Sequence, residues 1–294
     1  MPELPETETL ARDLNAGLVG RVIASIEVPH ADVLRGVTAR VLMRKLAGQR
    51  FERVWRRAKA VVLELGSDTN FAEPRSTEPD RDMKLVSDPN FLVCVPRFTG
   101  GLLLRDAGMP DDRYDAVRFR LRDGATLAYR DVRRLGTLTL FSASEFSTFD
   151  RRLGKEPLDP AFTPGELSAL FRTSTQPVKK VLMDQRRIAG VGNIYANESL
   201  WAAGIDPSRA ARTLDPGEID RLHGALVDIL LRAIEARGTT FRDYRDASGH
   251  RGEFVRQLAA YGRGGEPCTR CGTRLTMTHE IDGRATVFCH RCQS

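Results

Sequence analysis

The chain has no apolar run approaching the roughly 18–20 residues of a membrane span, and its first residues lack the basic-then-apolar layout of a secretory signal. Those two absences predict a soluble, cytoplasmic protein. Cysteine is scarce, with five in 294 residues. Four of these lie in the last 27 positions in paired spacing, which in an intracellular chain points to metal rather than to a disulfide scaffold. The fifth, Cys94, stands alone in an apolar run and reads as a small buried hydrophobe. Acid is in short supply too. Asp and Glu number 39 against 45 Lys and Arg, for a net charge of +6 and a pI near 9.3. That balance favours a polyanionic partner. Arginine supplies most of the positive charge, and its planar fork suits phosphate. At 294 residues and 41% hydrophobic content, one large domain or two smaller ones are expected.

What is present is most explicit at the C-terminal end. Cys268-x2-Cys271 and Cys289-x2-Cys292 are two knuckles separated by 17 residues, the spacing of a tetrathiolate zinc site. Four thiolates fill the tetrahedral shell and leave no position for a reacting water, so one structural Zn2+ is predicted. Between the knuckles, Thr273–Thr278 and Arg284–Phe288 alternate like a hairpin around Asp282-Gly283. Arg284 stands beside that turn, where a guanidinium could meet a phosphate or simply be solvated.

The opposite end offers a different chemistry. In Met1-Pro2-Glu3-Leu4-Pro5-Glu6, removal of Met1 would leave Pro2 with a free secondary amine. An α-amino group titrates near 7.7–8.0, so such a nitrogen is nucleophilic at neutral pH and can form an iminium with a sugar carbon. Glu3 is one residue away as a proton donor or acceptor. Glu6 falls in the first turn of a helix marked by Leu10, Leu14 and Leu18, where its carboxylate also suits the helix dipole.

Residues 21–65 read as strand-like, with Lys59 in a turn before Ala60–Leu65. Residues 66–90 read as a turn-rich insertion. Strands resume at Phe91–Leu104 and Asp115–Leu140, which argues for a β-sandwich or barrel-like N-terminal half. Residues 142–162 read as a linker, and helices are predicted near 164–172, 177–185, 193–203 and 215–237. Gly190-Val191-Gly192-Asn193 precedes the third of these. Asn193 is the expected N-cap, and the helix terminus behind it suits a backbone phosphate. Residues 238–264 carry neither period.

Taken together, Met1–Glu6, Arg57-Ala58-Lys59, Gly190–Asn193 and Gly283-Arg284-Ala285-Thr286 inside the four-cysteine module resemble the formamidopyrimidine-DNA glycosylase and endonuclease VIII family. The N-terminal run is more similar to the formamidopyrimidine-DNA glycosylase branch, and the resemblance runs from Pro2 to Cys292. It implies an α+β chain. An N-terminal β-sandwich flanked by helices would span 1–150, a helix–two-turn–helix DNA-binding domain 151–250, and a zinc finger 251–294. It implies a monomeric, nucleoid-associated, bifunctional glycosylase and AP lyase that takes oxidised purines out of damaged double-stranded DNA and cuts the strand by β,δ-elimination. Pro2, Glu3, Glu6, Lys59 and Arg284 would be catalytic, and Asn193 would bind DNA. The segment 238–264 resembles the family's mobile loop over the lesion pocket.

The chain departs from the family at three places. Val95-Pro96-Arg97-Phe98-Thr99-Gly100 stands where H-L-G-M-[ST]-G is usual, so Phe98 takes the place of a void-filling methionine. Asp131-Val132-Arg133-Arg134-Leu135-Gly136 replaces D-P-R-R-F-G, leaving Arg133 toward the orphaned base and Leu135 in place of an intercalating phenylalanine. Arg113-Tyr114-Asp115-Ala116 replaces K-H-D-H. Phe98, Tyr114, Arg133 and Leu135 therefore belong to the expected DNA contacts. These departures keep two alternatives open: an oxidised-pyrimidine enzyme of endonuclease VIII type, and a non-catalytic damaged-DNA-binding paralogue.

Overall fold

The computed structural model describes residues 2–67 and 89–294. The insertion read at 66–90 lies largely outside the described residues. The chain divides into two compact units. One comprises Pro2, Glu6–Asp150 and Thr240–Gly252, and the other Glu3–Pro5, Arg151–Thr239 and Glu253–Ser294.

In the first unit, helix α1 (Leu4–Leu18) is followed by β1 (Ile23–Glu27), β2 (Leu34–Arg35), α2 (Ala39–Leu46), β3 (Gln49–Arg57), β4 (Ala60–Ser67), β5 (Asn90–Val95), β6 (Gly100–Arg105), β7 (Asp115–Leu121), β8 (Thr126–Asp131), β9 (Thr137–Phe141) and α3 (Ala143–Asp150). Four strands form a sheet in the order β1-β7-β8-β6, and five form another in the order β2-β9-β5-β4-β3. Pairing is antiparallel except for β2 with β9. Period-two alternation decides the faces. Val61, Leu63 and Leu65 of β4 join Val117, Phe119 and Leu127 of the other sheet in one core, which Leu10, Leu14 and Leu18 of α1 complete. The opposite face of the five-stranded sheet, Ala60, Val62 and Val93, is covered by an aromatic cluster of Trp55, Phe91, Phe141, Phe146 and Phe149.

Two helices lie where the sequence predicted none. Within the stretch read as strand-like, α2 is nucleated by Thr38, whose hydroxyl accepts from Val41 N at 3.3 Å. It buries Leu42 and Leu46, four residues apart. Within the expected linker, α3 starts from a reciprocal pair: Ser142 N donates to Glu145 Oε2 at 2.8 Å and Glu145 N to Ser142 Oγ at 3.4 Å. That is a capping box. Its helix lays Phe146 on Phe91 with stacked rings 4.6 Å apart.

The second unit is helical, with α4 (Pro164–Phe171), α5 (Val178–Leu182), α6 (Asn193–Ala203) and α7 (Pro216–Glu235), followed by the hairpin β10 (Thr276–Thr278) and β11 (Thr286–Phe288). Helix α7 starts from an Asp215/Glu218 capping box with Pro216 in its first turn. Helix α6 is buried along most of its length and runs through the centre of this core. It also carries the ribbon. Asn197 Oδ1 accepts from Val287 N at 2.7 Å, and the Glu198 carboxylate accepts from the N–H groups of Ala259, Ala260 and Tyr261 at 2.7–2.9 Å.

The aperiodic segment 238–264 has two points of anchorage in the first unit. Tyr244 and Ala247 enter the sandwich core, Tyr244 Oη donates to the Glu6 carbonyl at 3.2 Å, and Leu104 N donates to the Ala247 carbonyl at 3.0 Å.

The helical reading of Ala39–Leu46 makes a contrast testable. Leu42→Ala should cost about 2–5 kcal/mol, lowering the denaturation midpoint of the first unit. Its neighbour Met43, on the exposed face, should tolerate alanine within about 0.5 kcal/mol. Equal effects in urea unfolding would mean that α2 is not seated as described.

Candidate functional site

In the second unit the site is built at the N-terminus of α6. The Glu3 carboxylate is buried there and accepts from Ile194 N at 3.0 Å and Tyr195 N at 3.4 Å. Free N–H groups and the helix dipole make this a natural seat for an anion. Two glycines make room for it. A Cβ on Gly192 would lie 2.3 Å from Glu3 Cδ, and one on Gly190 would lie 2.7 Å from Leu4 Cβ. Gly190 also adopts φ +85°, and its carbonyl accepts from Leu4 N at 3.0 Å. The sequence reading assigned this helix terminus to a phosphate. In the structure its Ile194 and Tyr195 N–H groups bind a carboxylate of the chain itself.

Asn193 is not the N-cap expected of it. Gly192 is the N-cap and Asn193 is the first helical residue. The Asn193 side chain leaves the helix, and its Nδ2 donates to the Ala285 carbonyl at 3.0 Å, while Asn197 Nδ2 donates to Asn193 Oδ1 at 3.2 Å. Asn193 thus grips the hairpin loop that carries Arg284. Arg284 itself is exposed and lines a cavity of about 360 Å³ with Gln176, Lys180, Met183, Asp184 and Asp282.

The sequence reading missed Lys179, whose side chain is 0% exposed. Its Nζ donates to Thr286 Oγ1 at 2.7 Å and to the Ala285 carbonyl at 3.4 Å, and lies 3.5 Å from Asp282 Oδ1. Burial pushes this ammonium below the usual lysine range, and the Asp282 carboxylate opposes the shift. No periodic signal distinguishes Lys179 from its exposed neighbour Lys180, so only the folded loop reveals it.

The four cysteines meet the zinc expectation. Their Sγ atoms lie within 4.8 Å of one another, Cys271 and Cys289 at 3.5 Å, and none is in a disulfide. Zinc at about 2.3 Å from each of four sulfurs requires tetrahedral edges of about 3.8 Å, so the residues present fit the ion. Gln293 braces the second knuckle, accepting from Cys289 N at 2.8 Å and donating to the Ile205 carbonyl at 2.8 Å. Cys94 is fully buried and its thiol is pushed well up by burial, which fits an inert hydrophobe.

The first unit holds Pro2, Glu6 and Lys59, with Pro2 and Glu6 buried. Glu6 lies in the first turn of α1. Lys59 occupies the β3–β4 turn after Ala58, which takes φ +53°, and is half-buried. Arg57, two residues earlier, pairs with Asp150 at the end of α3.

A second constellation in this unit surrounds buried Asp131. One carboxylate oxygen accepts from Thr99 Oγ1 at 2.5 Å and Arg133 N at 3.2 Å, the other from Gly136 N at 2.8 Å and Tyr129 Oη at 3.1 Å. The loop so fixed leaves Phe98 47% and Leu135 39% exposed, with the Arg133 guanidinium 5.2 Å from the Phe98 ring centroid. Tyr114 adjoins this group: its carbonyl accepts from Asp131 N at 3.0 Å, and its ring is approached by Arg113 at 4.6 Å and Arg130 at 5.1 Å.

Three family models match. The formamidopyrimidine-DNA glycosylase N-terminal domain covers residues 1–138, the formamidopyrimidine-DNA glycosylase H2TH domain residues 153–245, and a zinc finger found in FPG and IleRS residues 265–294. The chain is 40% identical over 277 residues to a formamidopyrimidine-DNA glycosylase of Moorella thermoacetica, covering 94% of this chain and 93% of the relative. It is 36% identical to that of Exiguobacterium sibiricum, covering 100% and 99%. Among solved structures it is similar to Lactococcus lactis Fpg in complex with DNA containing N7-benzyl-Fapy-dG, with TM-score 0.85, 29% identity and full coverage of both chains. It is also similar to the same protein with abasic-site DNA, with TM-score 0.85, 30% identity and 99% of each chain.

Because four thiolates complete the shell, the metal should be structural. One zinc per chain is expected by elemental analysis. Cys289→Ser or a strong chelator should remove it together with DNA binding while the first unit stays folded, since metal affinity is also folding energy for so small a module. Full DNA binding by demonstrably metal-free protein would refute this.

Proposed function

The chain belongs to the formamidopyrimidine-DNA glycosylase family, and on that premise we propose that Pro2 is the nucleophile of a DNA glycosylase and AP lyase of base-excision repair. The damaged nucleotide is flipped out of the stack. The Pro2 nitrogen, freed by removal of Met1, attacks C1′ as the oxidised base leaves, and Glu3 exchanges a proton with the opening sugar. The resulting iminium acidifies the neighbouring carbon. β-Elimination then expels the 3′ phosphate and δ-elimination the 5′ phosphate, leaving a one-nucleotide gap. Glu6 positions the sugar or a water, and Lys59 assists the elimination from its turn.

The observation that carries this reading is the seating of Glu3 on α6. Consecutive Cα atoms are about 3.8 Å apart, so a fixed Glu3 confines the adjoining Pro2 nitrogen to a small volume. Orientation of this kind is what a covalent nucleophile needs. Lys59, Asn193 and Arg284 clamp the phosphates around the flipped nucleotide, and the contact of Asn193 with the Ala285 carbonyl also braces the loop that carries Arg284. These contacts grip backbone and carry no sequence information. Phe98, Arg133 and Leu135 fill the space the flipped base leaves, and Tyr114 contacts the DNA beside them.

Oxidised purines such as 8-oxoguanine and formamidopyrimidine are the proposed substrates. A second reading, oxidised pyrimidines, is favoured by one observation. The Lactococcus lactis relative has also been solved with DNA containing an oxidised pyrimidine (TM-score 0.84, 30% identity, full coverage). The work of such an enzyme is at chromosomal DNA, in the cytoplasm and at the nucleoid.

The exposed aromatic is the stronger wedge. Phe98→Ala should weaken binding to lesion duplex by about 1–3 kcal/mol, the stacking loss for one aromatic, and Leu135→Ala by less. The reverse order in a binding titration would move the wedge to Leu135.

Borohydride should trap a covalent adduct with abasic-site DNA, and peptide mapping should place it at Pro2. Retaining Met1 turns that nitrogen into an amide and should abolish the adduct. Glu3→Gln should lower base removal by about 10²–10⁴-fold, the usual scale for a lost general acid–base group, with a smaller loss on a preformed abasic site. An adduct that persists with Met1 retained, or that maps to Lys59, means another nucleophile. No adduct under any condition means a non-catalytic damaged-DNA-binding protein.

A further inference from the structure

The Asp282 side chain is 7% exposed, although it belongs to a hairpin turn, where carboxylates are usually solvated. Its Oδ1 accepts from Arg284 N at 3.1 Å and faces Lys179 Nζ at 3.5 Å. Its Oδ2 is buried with no hydrogen-bond partner. A buried, half-satisfied carboxylate disfavours the fold, so its presence asks for a reason beyond stability. The loop it governs supplies one. Lys179 Nζ reaches across to Thr286 Oγ1 and the Ala285 carbonyl, and Asn193 Nδ2 reaches the same carbonyl. Three consecutive residues, Arg284 to Thr286, are thus held from beneath by one ion pair and one amide. Arg284, at the head of the three, lines the open cavity.

We propose that Asp282 is a positioning residue: paired with Lys179, it fixes the backbone of Arg284–Thr286 so that the Arg284 guanidinium is presented to a DNA phosphate. This rests on the reading of Arg284 as a phosphate ligand. The pair is self-consistent in charge. The groups acting on the Lys179 ammonium are Asp282 and Glu3, which favour its charge, and Arg284, which opposes it. Removing Asp282 leaves a buried cation whose main compensating anion is gone, and the Arg284 amide loses its acceptor.

The test is a set of Asp282→Ala, Asp282→Asn and Arg284→Ala chains and the Asp282→Ala/Arg284→Ala double variant, each bound to abasic-analogue duplex over a range of salt. Zinc content and the circular-dichroism spectrum verify folding. Asp282→Ala should weaken binding about tenfold and reduce the salt slope by about one, the signature of one lost phosphate contact. Asp282→Asn keeps an acceptor for the Arg284 amide and no charge for Lys179, so it should fall between, and it serves if the alanine variant loses zinc. In the double variant Asp282→Ala should add little to Arg284→Ala, because both act on one contact. Wild-type affinity and slope in both Asp282 variants overturns the proposal, as do losses that simply multiply. Arg284→Ala with undiminished affinity removes the phosphate-ligand reading and the proposal with it, whereas an impaired Arg284→Ala beside an intact Asp282→Ala removes the proposal alone.

Discussion

The contact on which the site depends is the Glu3 carboxylate set against the N-terminus of α6. A helix end leaves backbone N–H groups without intrahelical partners, and a buried carboxylate needs donors to be tolerated. Each group answers the other's requirement. The contact ties a residue near the start of the chain to one nearly two hundred positions later. Everything around it is shaped to permit it: Gly192 leaves the volume, Gly190 turns the chain, and Leu4 fills the second unit's core. Helix α6 then passes the order onward, since Asn193, Asn197 and Glu198 fix the ribbon and its loop. The Glu3 anchor, the Arg284 loop and the four-cysteine module therefore share one helix.

Much of the fold was legible in the sequence. The leucines of α1 and the run Ile219–Leu230 of α7 each bury a face, and burial is what periodicity records. The two helices that escaped are eight residues each, too short for a periodic pattern to outweigh their surroundings. Their caps were written plainly, Thr38 for one and Ser142 with Glu145 for the other. A search for caps before periods would have found both. The cysteine spacing needed nothing more, because ligand geometry dictates it.

The site was legible in its parts and not in its connections. Pro2, Glu3, Asn193 and Arg284 stand out as residue types in suggestive places, yet the partners of Glu3 and Asn193 are set by distant contacts that spacing does not encode. Asn193 looked like a cap and is a strut, because the adjacent Gly192 takes the cap and Ala285 offers a carbonyl. That Glu3 meets the helix terminus was hidden because the two lie 191 residues apart in sequence. Lys179 was invisible for the same reason. A lysine beside a lysine carries no mark of which one is enclosed.

Gly192 has a consequence for genetics. The residue bears no functional group, and in a list of reactive side chains it would be passed over. Yet the smallest possible addition to it, one methyl, would stand 2.3 Å from the Glu3 carboxyl carbon. In a saturation screen scored by survival under oxidative mutagenesis, codon 192 would therefore sort with codon 3, whose carboxylate it makes room for. Alleles there would be mistaken for losses of chemistry when what they lose is room.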